Sequence, residues 1–418
     1  TAPETAPTAP QGAQVRGDGV RSVWTLAGSP FVEGLQDGPG DQARFRRPTA
    51  AAIDASGNVL VADTGNHAVR MMKNDAAHTV VTLAGNGTAG DALGDGASAR
   101  LNTPTGIAVA QDGTIYVSDT GNQRILRLRP EGAGYAVERL AGGEGWLGFA
   151  DGDGASARFS NPGGLALSGG RLYVADRQNN AIRRVDASTG RTDTLAGGGG
   201  QGSGDGARSS GKFSFPGDLA LAGDALLVVD AGNRGIRRVS IGTGAVSTVA
   251  GAGGGSFDSG GYADGAASDA RFMAAGGILA DGGDVLVADG GNACVRRIQG
   301  GRVSTVAGTG LFGSRDGAAA DARFAVPTAL VRLGAGEWLV VDHGASTLRR
   351  LSATDAPPAV DPPPVDPPPP PPPAGAPGGG CGCDSGSGAG VLALVVASGL
   401  VGRLRRARSS RNASPRAP

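Results

Sequence analysis

Short runs of hydrophobic residues alternate along this chain with clusters of glycine, aspartate and asparagine. In one stretch such runs cover residues 107–110, 114–118 and 124–128, and a fourth ends in a Leu-Ala-Gly triplet at 140–142. Short β-favouring runs bounded by turn residues are typical of antiparallel strands. The 76 glycines among 418 residues agree with this, because glycine weakens helices but suits tight turns. The pattern therefore predicts an all-β protein made of four-stranded sheets.

One sequence unit recurs six times. It begins with Leu-Ala-Gly or Val-Ala-Gly and a glycine-rich loop, and continues with Asp-Gly, in most copies Ala-Arg-Phe, and usually a proline. An Asp-x-Gly-Asn motif or a close variant then follows the second strand of each unit. Successive motifs are 53 to 59 residues apart, a period that indicates a propeller or a solenoid. The motif begins at Asp63, Asp119, Asp176, Asp230, Asp289 and Asp342.

These units resemble NHL repeats. Residues 63–67 (Asp-Thr-Gly-Asn-His) and 119–123 (Asp-Thr-Gly-Asn-Gln) match the core of that repeat, and residues 182–185 (Ile-Arg-Arg-Val) match its following strand. The resemblance implies a six-bladed β-propeller over residues 20–352. The sixth unit lacks a fourth strand, whereas the run at 20–27 is a strand without a unit of its own. We therefore expect the N-terminal strand to complete the last blade and close the ring.

The segments outside the propeller differ from it in composition. Residues 1–19 form a Thr/Ala/Pro-containing lead-in that we expect to be disordered. Residues 353–380 form a proline- and glycine-rich linker, with the properties of a semi-rigid stalk. The tail at 381–418 contains two cysteines, an apolar run at 389–402 and an arginine-rich end.

The order of Cys381 and Cys383, a short apolar run and a basic end resembles the MYXO-CTERM sorting tails of myxobacteria. The resemblance implies cleavage near the cysteines and retention at the cell surface. The alternative is an uncleaved anchor with a short transmembrane helix, because arginine behind an apolar run favours a cytoplasmic C-terminus. Both predict an exported propeller in the envelope or on the surface of a bacterium. Because the chain begins at Thr1, we expect any export signal to have been removed.

Charge and histidine content restrict the chemistry. The 38 basic and 38 acidic residues cancel, so nothing indicates a nucleic-acid partner. Three histidines are too few for the zinc sites of propeller enzymes, and they are His67, His78 and His343. The six repeat aspartates could form a ring of metal ligands, but they recur with arginines such as Arg183, which predicts structural ion pairs. We therefore predict no metal, no cofactor and no catalytic residue.

The aromatic residues fall into two sets. One recurs at a fixed position and is predicted to fill the space between blades: Phe45, Phe159, Phe213, Phe272 and Phe324, with Leu101 in the second unit. The other occurs in single units, within the loops that join successive blades: Phe31, Trp146, Phe149, Phe257, Tyr262 and Phe312. Because the repeat does not require this second set, its rings are candidates for one ligand site, centred on Trp146, Phe149, Phe257 and Tyr262. Alternatively, they clamp their own long loops.

Two functions remain open at this point. The first is a non-catalytic binding or scaffold propeller, monomeric and membrane-attached through its tail, that recognises a protein, peptide or glycan through one face. The second is an exported hydrolase or lyase with a metal in the central channel. The fold hosts both kinds of protein. The shortage of histidine and glutamate at inner positions favours the binding propeller.

Overall fold

The computed structural model describes residues 19–143, 147–251 and 261–354, which form a six-bladed β-propeller. The first fourteen strands are β1 (Ser22–Ala27), β2 (Ala50–Ile53), β3 (Val59–Asp63), β4 (Ala68–Met72), β5 (Val80–Ala84), β6 (Gly94–Asp95), β7 (Pro104–Val109), β8 (Ile115–Asp119), β9 (Arg124–Glu131), β10 (Gly134–Ala141), β11 (Pro162–Ser168), β12 (Arg171–Asp176), β13 (Ala181–Asp186) and β14 (Thr192–Gly197). The others are β15 (Pro216–Ala222), β16 (Ala225–Asp230), β17 (Gly235–Ser240), β18 (Val246–Ala250), β19 (Gly265–Ala266), β20 (Ala275–Asp281), β21 (Asp284–Asp289), β22 (Cys294–Gln299), β23 (Arg302–Ala307), β24 (Gly317–Ala318), β25 (Pro327–Gly334), β26 (Glu337–Asp342) and β27 (Thr347–Ser352).

Each blade is one antiparallel sheet whose first long strand lies innermost, along the central channel. Blade 3, for example, has the order β11-β12-β13-β14 from the channel to the rim. The six inner strands contact one another around the ring, and they are β2, β7, β11, β15, β20 and β25, which number the blades from 1 to 6. The only helical elements among the described residues are three-residue 3₁₀ turns, and none could cross a membrane.

The N-terminal strand closes the ring, as predicted. β1 pairs antiparallel with β27, with Val23 opposite Leu351 and Thr25 opposite Arg349. Its other edge pairs with β24 at Gly317 and Ala318. Blade 6 therefore contains strands from both ends of the propeller.

Each segment between two blades first visits the outer edge of the blade that it enters. Gly94 of β6 pairs with Val137 on the outer strand of blade 2, and Gly152 forms a single bridge with Thr192 of blade 3. The chain then returns across the blade to the channel, where the inner strand starts. These segments are thereby held to the outer edge of the blade that they enter.

A buried arginine ties this segment to its blade. In blade 3, Arg183 donates hydrogen bonds to Asp176 and to Asp151, each at 2.7 Å. Its guanidinium lies 5.2 Å from the centre of the Phe159 ring, and the hydroxyl of Thr194 donates to Asp151 at 2.9 Å. We call this the arginine clamp. Blades 1, 4, 5 and 6 contain the same pair of ionic contacts around Arg70, Arg237, Arg296 and Arg349.

Blade 2 lacks the arginine clamp, because three of the clamp residues are leucine in this blade. The pairing of its strands puts Leu126 in the arginine position, Leu101 in the phenylalanine position and Leu93 in the position of the loop aspartate. Asp119 is kept, and it accepts a hydrogen bond from Arg124 at 2.8 Å instead. The joint replacement indicates that the arginine, the ring and the loop aspartate act as one unit.

The aromatic residues that recur at the fixed position fill the space between blades, as predicted. All are fully buried, and Phe159, for example, packs in a cluster with Tyr116 of blade 2 and Leu165 of blade 3. The lead-in up to residue 18, the linker from 355 and the tail with Cys381, Cys383 and the apolar run lie outside the described residues.

Candidate functional site

The two faces of the propeller differ in what builds them. The segments between blades and the turns between the second and third strands leave the same end of the strands, because neighbouring strands are antiparallel. We call this side the upper face. The opposite, lower face is made of short hairpins such as residues 54–58 and 110–114.

Every large hydrophobic side chain that the described residues expose belongs to a segment between blades. The lower-face hairpins contribute none. Exposed hydrophobic side chains that are concentrated on one set of loops are candidates for a binding surface. The exposed residues are Phe31, Val32, Leu35, Leu93, Leu147, Phe149, Phe215, Met273, Leu311 and Phe312.

Phe31 and Phe312 are the most exposed of the predicted aromatic residues that the structure describes, at 61% and 58%. They lie in the segments that enter blades 1 and 6, which are neighbours in the ring. The amide of Phe31 donates to the carbonyl of Ala345, in a turn of blade 6, at 2.9 Å. Phe31 has a φ of 64°, a strained conformation for a bulky residue and one that is enriched at functional sites. Trp146 and Phe257 lie outside the described residues.

Phe149 and Tyr262 contact the arginine clamps. The guanidinium of Arg183 lies 4.9 Å from the centre of the Phe149 ring, and that of Arg296 lies 4.8 Å from the Tyr262 ring. The Tyr262 hydroxyl is 2.7 Å from the hydroxyl of Thr305, and burial raises the pKa of Tyr262 to about 12. These contacts favour the alternative in which the two rings clamp their own loops. Phe149 nevertheless leaves 47% of its surface exposed.

The six repeat aspartates are fully buried and face their own blades. In blade 4, Asp230 accepts hydrogen bonds from the amide of Ser214 and the side chain of Asn233, each at 2.7 Å, and from Arg237 at 2.8 Å. Burial raises the pKa of Asp230, while these hydrogen bonds and the arginine oppose the rise. Across the described residues no three or more His, Cys, Asp or Glu side chains are grouped so as to hold a metal ion.

Six residues surround the upper mouth of the channel, each at the start of an inner strand. Five of them have φ between 47° and 52°, and hydrogen bonds from their amides to the preceding blade hold several in place. The amide of Phe215, for example, donates to the side chain of Asn180 at 2.9 Å. The backbone is thus fixed while the side chains vary, from polar on blades 1 to 3 to apolar on blades 4 to 6. In blade order they are Arg47, Thr103, Asn161, Phe215, Ala274 and Val326.

Below this rim, one cavity has a single carboxylate among the described residues that line it. The cavity, of about 180 Å³, is lined by alanine, leucine and isoleucine side chains of the inner strands and by Asp218. Asp218 accepts a hydrogen bond from the amide of Ile278 at 3.1 Å, and no salt bridge to it occurs within the described ranges. Burial raises its pKa to about 7. The other five blades have alanine or glycine at this position: Ala50, Gly106, Gly164, Gly277 and Ala329.

Replacing this carboxylate should stabilise the propeller in a pH-dependent way. Because the pKa of Asp218 is higher in the folded chain than the ordinary 3.8, the folded state binds more protons between those two values. Its contribution to stability therefore falls as the pH rises from about 4 to about 7. We expect Asp218→Asn to raise the free energy of unfolding by about 1–3 kcal/mol at pH 8, and by less than half as much at pH 5. Urea unfolding at both pH values measures this, with Asp224→Asn on the lower face as the control. A loss of stability at both pH values would contradict it.

A second ionic side chain lies beside the channel mouth. Arg177 follows the end of β12, and its methylene groups pass over Gly163 at the start of the inner strand of blade 3. Burial lowers its pKa, and no hydrogen bond or salt bridge connects it to another described residue. The equivalent residues of the other blades are Thr64, Thr120, Ala231, Gly290 and His343.

Sequence reasoning missed Phe215, Asp218 and Arg177. Phe215 precedes a proline of the repeat, and its exposed ring escaped notice because Phe213, two residues earlier, is a repeated wedge. An alignment of the six inner strands identifies both Phe215 and Asp218. Phe215 is aromatic and Asp218 is acidic, whereas none of the other five residues at either position is. The three histidines do not converge: His67 accepts from the amide of Thr103 at 3.0 Å, and His343 contacts the carbonyl of Pro48 at 3.2 Å.

The model of the NHL repeat matches residues 45–70, 101–128 and 159–184, which include the wedge, the inner strand and the Asp-x-Gly-Asn turn of blades 1 to 3. The match shows NHL repeats in blades 1 to 3. The chain is 30% identical over 289 residues to Protein SUPPRESSOR OF QUENCHING 1, chloroplastic, of Arabidopsis thaliana, an alignment that covers 65% of this chain and 26% of that protein. It is 34% identical over 101 residues to NHL repeat-containing protein 2 of Bos taurus, covering 23% of this chain and 14% of that one. The chain thus spans about a quarter of the first relative and less of the second.

The NHL propeller also resembles solved structures. An auxiliary nutrient binding protein from Bacteroides thetaiotaomicron aligns with a TM-score of 0.60 at 17% identity, over 79% of this chain and 76% of that one. A structural genomics protein of unknown function from the same organism aligns with a TM-score of 0.60 at 20% identity, over the same shares. At this identity the likeness shows the fold alone.

Proposed function

We propose that this NHL propeller is a non-catalytic binding module that captures a protein, peptide or glycan on its upper face. The observation that carries the proposal is the segregation of exposed hydrophobic side chains onto the segments between blades. Exposed aromatic side chains supply much of the binding energy in small interfaces. The nutrient-binding name of one structural neighbour agrees with such a role.

The rim residues would make this surface directional. Phe215 of blade 4 and Arg47 of blade 1 lie on opposite sides of a six-fold ring, so apolar and charged sides face each other across the mouth. Arg46 and Arg47 both contact Glu33 at 3.2 Å, which leaves the side of blade 1 polar. A partner with one apolar and one polar side would fit in a single orientation.

The competing enzymatic function has less support. The repeat aspartates are occupied by backbone amides, asparagines and arginines of their own blades, so they have no free oxygen atoms arranged around the channel. Asp218 has neither a second acid nor a histidine among the described residues that line its cavity. Propeller hydrolases and lyases that use a channel metal need several ligands from different blades.

Replacing the most exposed rings should weaken capture without affecting stability. We expect Phe31→Ser and Phe312→Ser to lower affinity for the partner about tenfold or more each, because hot-spot rings contribute about 2 kcal/mol or more. The melting temperature should remain nearly unchanged, since both rings are mostly in solvent. A pull-down from surface extracts, followed by titration of the captured partner, measures the effect.

Two control variants make this test specific. Tyr262→Phe removes a hydroxyl that bonds within the propeller, so it should lower stability and leave affinity unchanged. Thr243→Ser alters a short lower-face turn and should change neither quantity. Unchanged capture by both Phe31→Ser and Phe312→Ser would eliminate the upper face as the binding surface.

We also propose that the propeller is displayed on a bacterial surface through its C-terminal tail. The support is sequence alone: a proline-rich linker, two cysteines, a short apolar run and six arginines in order. On cells producing the full chain, the surface form should lack residues 389–418, and Cys381→Ala with Cys383→Ala should abolish this processing. Mass spectrometry of surface protein identifies its C-terminus. An intact C-terminal peptide that both variants leave unchanged would support the simple anchor instead.

A further inference from the structure

Two side chains of opposite charge lie beside the upper end of β11, and neither has a side-chain partner among the described residues. Asp218 accepts hydrogen bonds from backbone amides only, and Arg177 has no bonded partner in the part of the chain that the structure describes. They do not pair with each other either. Every other buried guanidinium of the repeat, by contrast, contacts one or two carboxylates.

Both side chains contact the same short piece of β11. Asp218 Oδ1 lies 2.5 Å from where a Cβ on Gly164 would be, and Arg177 Cδ lies 2.9 Å from the equivalent point on Gly163. Because consecutive Cα atoms are about 3.8 Å apart, the carboxylate and the guanidinium carbon are separated by no more than about 15 Å. A glycine at each of these positions is what lets the two side chains pack against β11.

The fold does not need either charge. Five blades form their inner strands with alanine or glycine where blade 4 has Asp218, and five form the turn without an arginine where blade 3 has Arg177. An unpaired ionic group in a partly desolvated site destabilises a protein. Such groups are commonly found where a ligand supplies the missing partner.

The chemistry of the site limits the ligand. A metal ion is a poor match, because it requires several oxygen ligands and the cavity lining offers one carboxylate. That carboxylate also accepts a hydrogen bond from the amide of Ile278 already. An ammonium group needs only one or two acceptors. Apolar neighbours of Asp218 such as Leu165, Leu219 and Ile278 suit a short hydrocarbon chain.

We propose that the channel binds a small zwitterion, an ω-amino acid or a short peptide with free termini, through an ammonium group on Asp218 and a carboxylate on Arg177. This site goes beyond the capture of a partner by the outer loops, and it uses different residues. The separation between Asp218 and Arg177 determines which distance between ammonium and carboxylate groups in the ligand fits best. The methylene groups between them lie against the apolar wall.

Calorimetric titration of the propeller with a ligand series tests the proposal. At pH 8, where Asp218 is ionised, 4-aminobutyrate, 6-aminohexanoate, 8-aminooctanoate and glycylglycine supply both charges at different spacings. We expect one spacing to bind best, with hexylamine and hexanoate at least tenfold weaker than the best zwitterion. Asp218→Asn and Arg177→Gln should each weaken that zwitterion at least tenfold. Asp224→Asn and Arg191→Gln, matched changes at exposed positions, should leave its affinity unchanged.

A second measurement needs no variant. The carbon-13 shift of the Asp218 carboxyl gives its pKa, which the bound ammonium group should lower because it stabilises the carboxylate. Among the described residues, β2, β7, β11, β20 and β25 place no other ionisable side chain in the cavity lining. A lower pKa of Asp218 would therefore report the contact between its carboxylate and the ammonium group of the ligand.

Several results would overturn the proposal. These are no binding by any zwitterion at 10 mM, equal binding of hexylamine and the best zwitterion, or an unchanged affinity in Arg177→Gln. The outcome is independent of partner capture, because Phe31→Ser and Phe312→Ser leave this site intact. Loss of capture with retained zwitterion binding, or the reverse, separates the two functions.

Discussion

Removing residues 1–28 should lower the free energy of unfolding by about 5 kcal/mol or more, whereas removing residues 1–12 should change it by less than about 0.5 kcal/mol. The longer deletion takes away β1. Val23 and Leu26 are both buried, in the clusters that blade 6 shares with blades 5 and 1, and burying two such side chains contributes about 3–6 kcal/mol. Loss of the pairing with β27 and β24 adds to this.

The effect should reach beyond blade 6. Without β1, β27 has an unpaired edge and β24 has no strand to cap, so two interfaces between blades lose contacts at once. Urea unfolding of the full chain and of both truncated chains measures the difference. A synthetic peptide of residues 19–28 should restore much of the lost stability when it is added in excess, because it can occupy the vacant edge. Equal stability of the two truncated chains would show that the ring closes in another way.

Much of the fold could be predicted because the same sequence pattern recurs six times. The period, the turn motif and the wedge position all appear in several copies, so a deviation such as Leu101 does not obscure the pattern. Closure could be predicted from the strand count. The sixth unit lacks a fourth strand, and the N-terminal run at 20–27 is a strand without a unit of its own.

The candidate site could be predicted only in part, because it depends on single departures from the repeat. A unique aromatic residue in the sequence does not reveal which arginine it contacts, and Phe149 and Tyr262 turned out to stack on the clamps of their own blades. Asp218 and Arg177 are conspicuous only when the inner strands are superimposed. Their lack of partners is a property of three-dimensional packing, which spacing along the chain does not report.

Replacing a clamp arginine by leucine, the residue that blade 2 has at this position, should lower the stability of the propeller. Arg183→Leu should destabilise the propeller by about 3–5 kcal/mol, because it leaves the fully buried Asp176 without its cation. Arg184→Leu, on the same strand, removes a half-exposed ion pair with Asp193 and should cost less than about 1 kcal/mol. Urea unfolding of the two variants gives the comparison.

Blade 2 also shows how the loss could be offset. There Asp119 faces Arg124 across the sheet, and in blade 3 the residue that faces Asp176 is Ala181. Adding Ala181→Arg to Arg183→Leu should therefore recover about half of the lost stability or more, since the new guanidinium can reach the same carboxylate while leucine packs against Phe159. The Ala181→Arg change alone should destabilise, because two guanidinium groups would compete for Asp176. If the double variant is no more stable than Arg183→Leu, then the leucines of blade 2 are not interchangeable with the clamp, and each blade depends on its own surroundings.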